Sequence, residues 1–338
     1  MRNIALSCVF ALVLTIGFAA AAQPADLVVV NAGTNSLDQI STRGRGSVTT
    51  LAFFTAQPWD VVVCDPMIYA STLNNTVEAL NRSTGAVTSI PTGLGPQKMS
   101  HDPDCTRVYV PDGTGIRVID TATNTVVAAE SIDLVPNGGD GLSTITNGSR
   151  LAVGTGDRAL LYSVGSPPVL LAEHIIGSRL HDVVFSPDGT KLYAVLASPI
   201  DGFDENGNFF PAGNVHVLGV PSLDLEATIH VGFTELENAA LSEDGRLHIT
   251  GINGDLMSFN TATDDPASLT TLQVGGQLHD IAIDGDRAYM TNPLQGLVHT
   301  VVFGRNDRID GTITLQAGLP LGIAILPSQP KGKGGGKP

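Results

Sequence analysis

Two short runs, Leu180-His181-Asp182 and Leu278-His279-Asp280, each set an imidazole beside a carboxylate, and Glu237-Asn238 lies between them in the chain. Two imidazoles and a carboxylate form a donor set able to hold Zn2+ or another divalent transition metal, provided a fold gathers His181, Glu237 and His279 at one point. A nucleophilic triad is a poorer reading of Ser178, His181 and Asp182. Neighbours on a strand point to opposite sides, so Asp182 cannot orient His181, and the chain has no Gly-x-Ser-x-Gly elbow. Residues 197–214 carry a second group of oxygen donors: Asp201, Asp204, Glu205, Asn206 and Asn208. A helix-loop-helix calcium site would need Gly where Phe209 stands and Glu where Val215 stands. Asn206-Gly207 between Phe203 and Phe209 instead predicts a projecting hairpin with Phe209 and Phe210 available to a partner. The glycine-rich stretch Gly154-Thr-Gly-Asp-Arg-Ala159 runs on into Leu160-Leu-Tyr-Ser-Val164, a strand pattern, so it lacks the helix N-terminus a phosphate site requires.

The elements that must position these residues form a repeat. Leu180-His-Asp-Val-Val-Phe185 is followed by Ser-Pro-Asp-Gly-Thr-Lys191 and Leu-Tyr-Ala-Val195, and Leu278-His-Asp-Ile-Ala-Ile283 by Asp-Gly-Asp-Arg287 and Ala-Tyr-Met-Thr291. An apolar strand, an Asp-Gly turn and a second strand carrying Tyr make a β-hairpin, because Gly supplies the positive φ of a tight turn. A second signal is Val118-Ile-Asp-Thr-Ala-Thr-Asn-Thr-Val126, echoed at Ala79–Val87 and Ser258–Thr263, where Asp or Asn can bond its own turn. Hairpins recurring at roughly 40 residues predict a β-propeller.

Aligning the Tyr-bearing strands predicts an all-β, seven-bladed β-propeller of four-stranded antiparallel blades. Innermost strands are expected near Pro58, Pro96, Asp140, Leu180, Leu236, Leu278 and Leu319. Residues 319–326 have the first-strand pattern without a successor, and residues 27–31 the second-strand pattern without a predecessor. Pairing them closes the ring within one shared blade and removes free sheet edges. The channel mouth should then gather Trp59-Asp60, Gln97-Lys98, Asp140-Gly141, His181-Asp182, Glu237-Asn238, His279-Asp280 and Leu321-Gly322. The ligand-binding candidates are therefore Trp59, Asp60, Asp140, His181, Asp182, Glu237, Asn238, His279 and Asp280. Residues 197–214 are an insertion in blade 5.

Residues 1–22 read as a secretory signal, with Arg2, an apolar run from Val9 to Phe18 and four alanines ahead of Gln23-Pro24. The propeller occupies residues 23–327, and residues 328–338 form a basic Gly/Lys tail without a core-forming pattern. Without Arg2 and the three tail lysines, the body keeps 33 acidic against 14 basic side chains, a formal charge of −19. Such a body repels phosphate backbones, which excludes nucleic acid as a partner, and the mature chain has no transmembrane segment. A periplasmic or secreted monomer is expected. Cys64 and Cys105, one repeat apart in adjacent blades, are candidates for a disulfide in an oxidising compartment.

The Ser186-Pro-Asp-Gly-Thr-Lys-Leu-Tyr193 and Val118–Val126 signatures resemble the YVTN-repeat (YncE-like) family of secreted seven-bladed β-propellers, over about residues 25 to 327. The chain departs from the Tyr-Val-Thr-Asn consensus, offering Tyr109-Val-Pro-Asp112, Tyr193-Ala-Val-Leu196 and Tyr289-Met-Thr-Asn292. The resemblance implies the fold and export but no common catalytic motif. Two functions remain open at this point. One is an extracytoplasmic binding protein or interaction scaffold that engages a protein or small-molecule ligand at the mouth. The other is a metal-assisted hydrolase or lactonase-like propeller enzyme using His181, Glu237 and His279.

Overall fold

The structure is a computed structural model that describes residues 25–327 apart from 44–45, 135–142, 199, 204–208, 212 and 233. Seven antiparallel blades stand around a central channel. Blade 1 is built from both ends of the chain: Pro320–Leu326 is its innermost strand and pairs with Asp26–Asn31, followed outward by Ser36–Ser41 and Ser47–Phe53. The expected closure is present, in the register Leu27↔Ile325 and Val29↔Ile323. The innermost strands of blades 2 to 7 are Pro58–Cys64, Ser100–His101, Ser143–Thr146, Arg179–Phe185, Leu236–Leu241 and Ile281–Asp284. Blade 3 is irregular at its rim, where Thr125–Val126 and Ile132–Asp133 both pair with Gly115–Asp120. Among the described residues no helix is long and apolar enough to cross a membrane.

The turns form as their residues dictate. Ser186 and Lys191 close the Pro-Asp-Gly hairpin of blade 5 with Gly189 at φ +67°, and Asp188 accepts from the Thr190 amide at 3.0 Å. In the outer turns Asp120 accepts from the amides of Ala122 and Thr123, and Asn81 from those of Ser83 and Thr84. Two of the repeat tyrosines also bond to such turns. The Tyr69 hydroxyl of blade 2 donates to Asn124 of blade 3 at 2.8 Å, and that of Tyr193 in blade 5 to Asp264 of blade 6 at 2.8 Å. Tyr69 and Tyr193 thus each tie one blade to the outer turn of the next.

The apolar core lies between blades. Val184, Tyr193, Val195 and Val217 of blade 5 pack on Leu236, Leu247, Ile249 and Phe259 of blade 6, and the other interfaces repeat this alternation of inward-facing residues. Residues Ile200–Phe203 and Phe209–Pro211 pair antiparallel between the second and third strands of blade 5, as the hairpin reading of the insertion expects. Its tip, including Asn206-Gly207 and the would-be calcium ligands Asp204, Glu205 and Asn208, lies outside the described residues, as do the signal segment and the tail. Gly154 ends the strand Arg150–Gly154, and Arg158–Ser163 follows as a strand, so no phosphate-binding helix exists there.

Cys64 ends the innermost strand of blade 2 and Cys105 lies in the turn after that of blade 3, and the two are joined as a disulfide with Cα atoms 5.3 Å apart. The bridge fastens two blades at the end of the channel opposite the mouth. His101, whose sequence register places it away from the mouth, accordingly sits beside this bridge, with Nδ1 3.4 Å from Cys105 Sγ.

Candidate functional site at the channel mouth

The innermost strands carry one equivalent position per blade that faces the channel: Asp60, Lys98, Ser143, Asp182, Asn238, Asp280 and Gly322. Six of the seven are where the repeat predicts them. In blade 4 the alignment of Asp140-Gly141 slips: Ser143 takes the ring position, bridging Lys98 in parallel fashion, and Asp140 itself lies outside the described residues. That strand has only the four residues Ser143–Thr146 to set its register, and the Gly-rich run before it offers no apolar alternation.

Three of these positions are aspartates that clasp the ring. Asp60 accepts from the Met99 amide at 2.6 Å, Asp182 from Ala239 at 3.0 Å and Asp280 from Ile323 at 2.9 Å, each donor on the next blade around the channel. Lys98 reaches across the channel into this ring. Its Nζ lies 2.7 Å from Asp182, 2.8 Å from Asn238 Oδ1 and 3.6 Å from Asp280. Burial opposes the charge on Lys98, but Asp182 and Asp280 outweigh it and hold its pKa above the ordinary lysine value. Asp60 is the loser in this cluster. Burial, reinforced by the charge of Asp280, pushes it up to about 8 against the pull of Lys98, so it is protonated at neutral pH. Asp182 therefore belongs to a floor, with Ser143 Oγ at 2.6 Å as a further donor, and to the lower channel of about 540 Å3 beyond it.

Above the floor lies a cavity of about 290 Å3. Blade 2 contributes Trp59, blade 3 Gln97, blade 5 Arg179 and His181, blade 6 Glu235 and Glu237, and blade 7 His279, over the floor residues Asp60, Lys98, Asn238, Asp280 and Gly322. Strand alternation explains the division: the first residue of each predicted pair faces the mouth and the second turns into the floor. His181 and Glu237 meet, with Nδ1 3.7 Å from a carboxylate oxygen, and both side chains are mostly enclosed. Burial, helped by the charge of Arg179, pulls His181 down to about 4, and burial together with Glu235 pushes Glu237 up to about 7. The pair at neutral pH is an uncharged imidazole beside a carboxyl group near its midpoint.

His279 does not join that pair as the sequence suggested. It stands edge-on to Trp59 with ring centroids 5.8 Å apart, its pKa held low by burial. Its place in the cluster is taken by Glu235: one ligand atom each from His181, Glu235 and Glu237 lies within 4.8 Å of the others. Glu235 precedes the strand Leu236–Leu241, outside the repeating pattern, so the alignment overlooked it. Its spacing of two from Glu237 was the available signal, because an extended chain sets such residues on one face.

No family model matches the chain, and no curated protein matches it. Solved structures do. Similar folds include a functionally unknown protein from Desulfotomaculum acetoxidans (TM-score 0.68, 11% identity, covering 89% of this chain and 98% of that one). The computationally designed Ika8 protein gives a TM-score of 0.64 at 14% identity, over 89% and 90% of the two chains. Hydrazine synthase of Kuenenia stuttgartiensis gives 0.61 at 15% identity, over 73% and 76%. Identities this low speak for architecture alone: the protein is a seven-bladed β-propeller.

Proposed function

We propose that this chain is an extracytoplasmic, YVTN-like binding propeller that captures a compact polar ligand in the mouth cavity. The observation that carries this reading is the convergence of Trp59, Gln97, Arg179, His181, Glu235, Glu237 and His279, from five blades, on one cavity closed below by Lys98. Its volume of about 290 Å3 stands at the small end of ligand pockets, suited to a sugar- or lactone-sized molecule and too small for a folded partner element. Trp59 offers an apolar face, while the imidazoles and carboxylates offer both donors and acceptors. A floor bridged by Lys98 supports capture over passage through the channel. The signal-like N-terminus and acidic body support a location outside the cytoplasm. A protein partner at the same face, reached by the blade 5 hairpin, is compatible with this reading.

A second reading, a metal-assisted hydrolase or lactonase-like activity, is favoured by one observation. Glu237, shifted to about 7, stands beside the His181 imidazole, and a carboxyl group titrating near neutral pH suits general acid–base work. A thermal-shift screen of the mature protein against sugars, lactones and metals tests binding, since a specific ligand raises the melting temperature. The expected result is a shift in the wild type that Glu237→Gln abolishes. A screen in which every shift is equal in wild type and variant would remove the mouth as the site, and turnover of a lactone hit would favour the enzyme.

A further inference from the structure

We infer that His181, Glu235 and Glu237 form a site for one divalent transition-metal ion, with its remaining coordination positions open to the mouth cavity. This rests on the geometry of three side chains and not on capture of an organic ligand, so either can fail alone.

The three ligand atoms lie within 4.8 Å of one another. Ligands bound at about 2.0–2.2 Å to one ion stand roughly 3–4 Å apart, so rotamer adjustments of an ångström or less complete the set. The backbone beneath is fixed. Glu235 and Glu237 flank Leu236, which pairs with Gly251, and the Glu235 carbonyl accepts from the Ile252 amide at 3.1 Å. His181 lies on the neighbouring innermost strand, Arg179–Phe185.

Neither glutamate carboxylate accepts a hydrogen bond among the described residues, and the 3.7 Å between His181 and Glu237 is longer than one. Two partly buried carboxylates whose oxygens lie within 4.8 Å of one another repel each other when ionised. A cation between them would remove it. The donor set, one imidazole nitrogen and two carboxylates, selects Zn2+, Co2+ or Mn2+ over Ca2+, which takes six to eight oxygen ligands. With three protein ligands and a cavity beyond them, the ion would keep water on its open side, as metal centres that act on a bound molecule do.

The test uses tag-free mature protein stripped with chelator, then dialysed against Zn2+, Co2+ or Ca2+. Because Trp59 is the only tryptophan in the chain and lines the same cavity, Co2+ binding should quench its emission. Expected are one equivalent of Zn2+ or Co2+ per chain, quenching of Trp59 by Co2+, and no uptake of Ca2+. Glu235→Gln and Glu237→Gln should each weaken Zn2+ binding about tenfold or more. The metal-free melting temperature establishes that each variant is folded, and His181→Gln, which removes the sole nitrogen ligand, serves if either glutamate variant does not fold. Uptake below about a tenth of an equivalent, or unchanged uptake and quenching in the folded variants, would overturn the site.

Discussion

Replacing Lys98 by Met removes the cation that spans the channel while keeping an unbranched side chain of similar length. Its ammonium serves Asp182 at 2.7 Å, Asn238 at 2.8 Å and Asp280 at 3.6 Å, and the two aspartate side chains are only 2% and 7% exposed. Methionine would strand both carboxylates and leave Asn238 Oδ1 without its donor. Removing one partner of a buried ion pair costs about 3–5 kcal/mol, because the remaining charge has no compensation. A second change, Asp182→Asn, discards one stranded charge while its amide oxygen still accepts from the Ala239 amide and its NH2 can donate to Ser143 Oγ, which now accepts. In the Lys98→Met background it should therefore restore about 1–2 kcal/mol, whereas in the wild type it should destabilise, since it breaks the pair. Urea unfolding followed by circular dichroism, with an unchanged dependence on denaturant, gives the four stabilities of the cycle. A loss below about 1 kcal/mol for Lys98→Met, or an Asp182→Asn effect of the same sign and size in both backgrounds, would refute the idea that Lys98 holds the floor together.

Further outcomes follow from the same floor and ring. Asp60, raised to about 8, keeps its proton in the folded state and loses it in the unfolded chain, so stability should fall as pH rises from about 4 to about 8 and level off above. The contribution is a few kcal/mol at about 1.4 per pK unit. Asp60→Asn should flatten that slope in melting temperatures, and an unaltered slope would show that another group causes it. Replacing both Cys64 and Cys105 by Ser opens a link across 41 residues and should cost about 3–4 kcal/mol in the chain-entropy model. Alkylation of both thiols in freshly isolated, unreduced protein would contradict the bridge. Truncation after Gly318 removes the innermost strand of blade 1 and should lower the melting temperature of the whole body, and a truncated protein that melts like the full one would deny that the ring is closed by pairing of the chain ends.

Much of the fold was legible because its signals are local. Asp-Gly turns, Asp and Asn that bond their own loops, and Tyr two residues into the second strand recur in step with the blades, so strand order and ring closure could be counted off. The cysteine pair followed from the same register. What escaped depends on contacts remote in sequence. Lys98 was placed on the ring, but its span to Asp182, Asn238 and Asp280 crosses the channel and leaves no periodic trace. His279 was grouped with His181 by equivalence of position, yet equivalent positions on a ring diverge around its circumference, and Trp59 on the other side of blade 1 became its neighbour. Glu235 and Arg179 sit at strand entrances, where the repeat pattern has not begun. Blade 4 slipped because a four-residue strand after glycines has too little alternation to fix its register.

The most direct measurement of the central claim is the fluorescence of Trp59 during titration with the ligand that most raises the melting temperature in the screen. Since this is the chain's sole tryptophan and it borders the mouth cavity, occupancy should change its emission saturably, with the same midpoint as the thermal shift. That change should be weakened or lost in Glu237→Gln. A ligand that stabilises the protein while Trp59 emission stays constant, in the wild type as in the variant, would place binding elsewhere and contradict a capture site at the mouth.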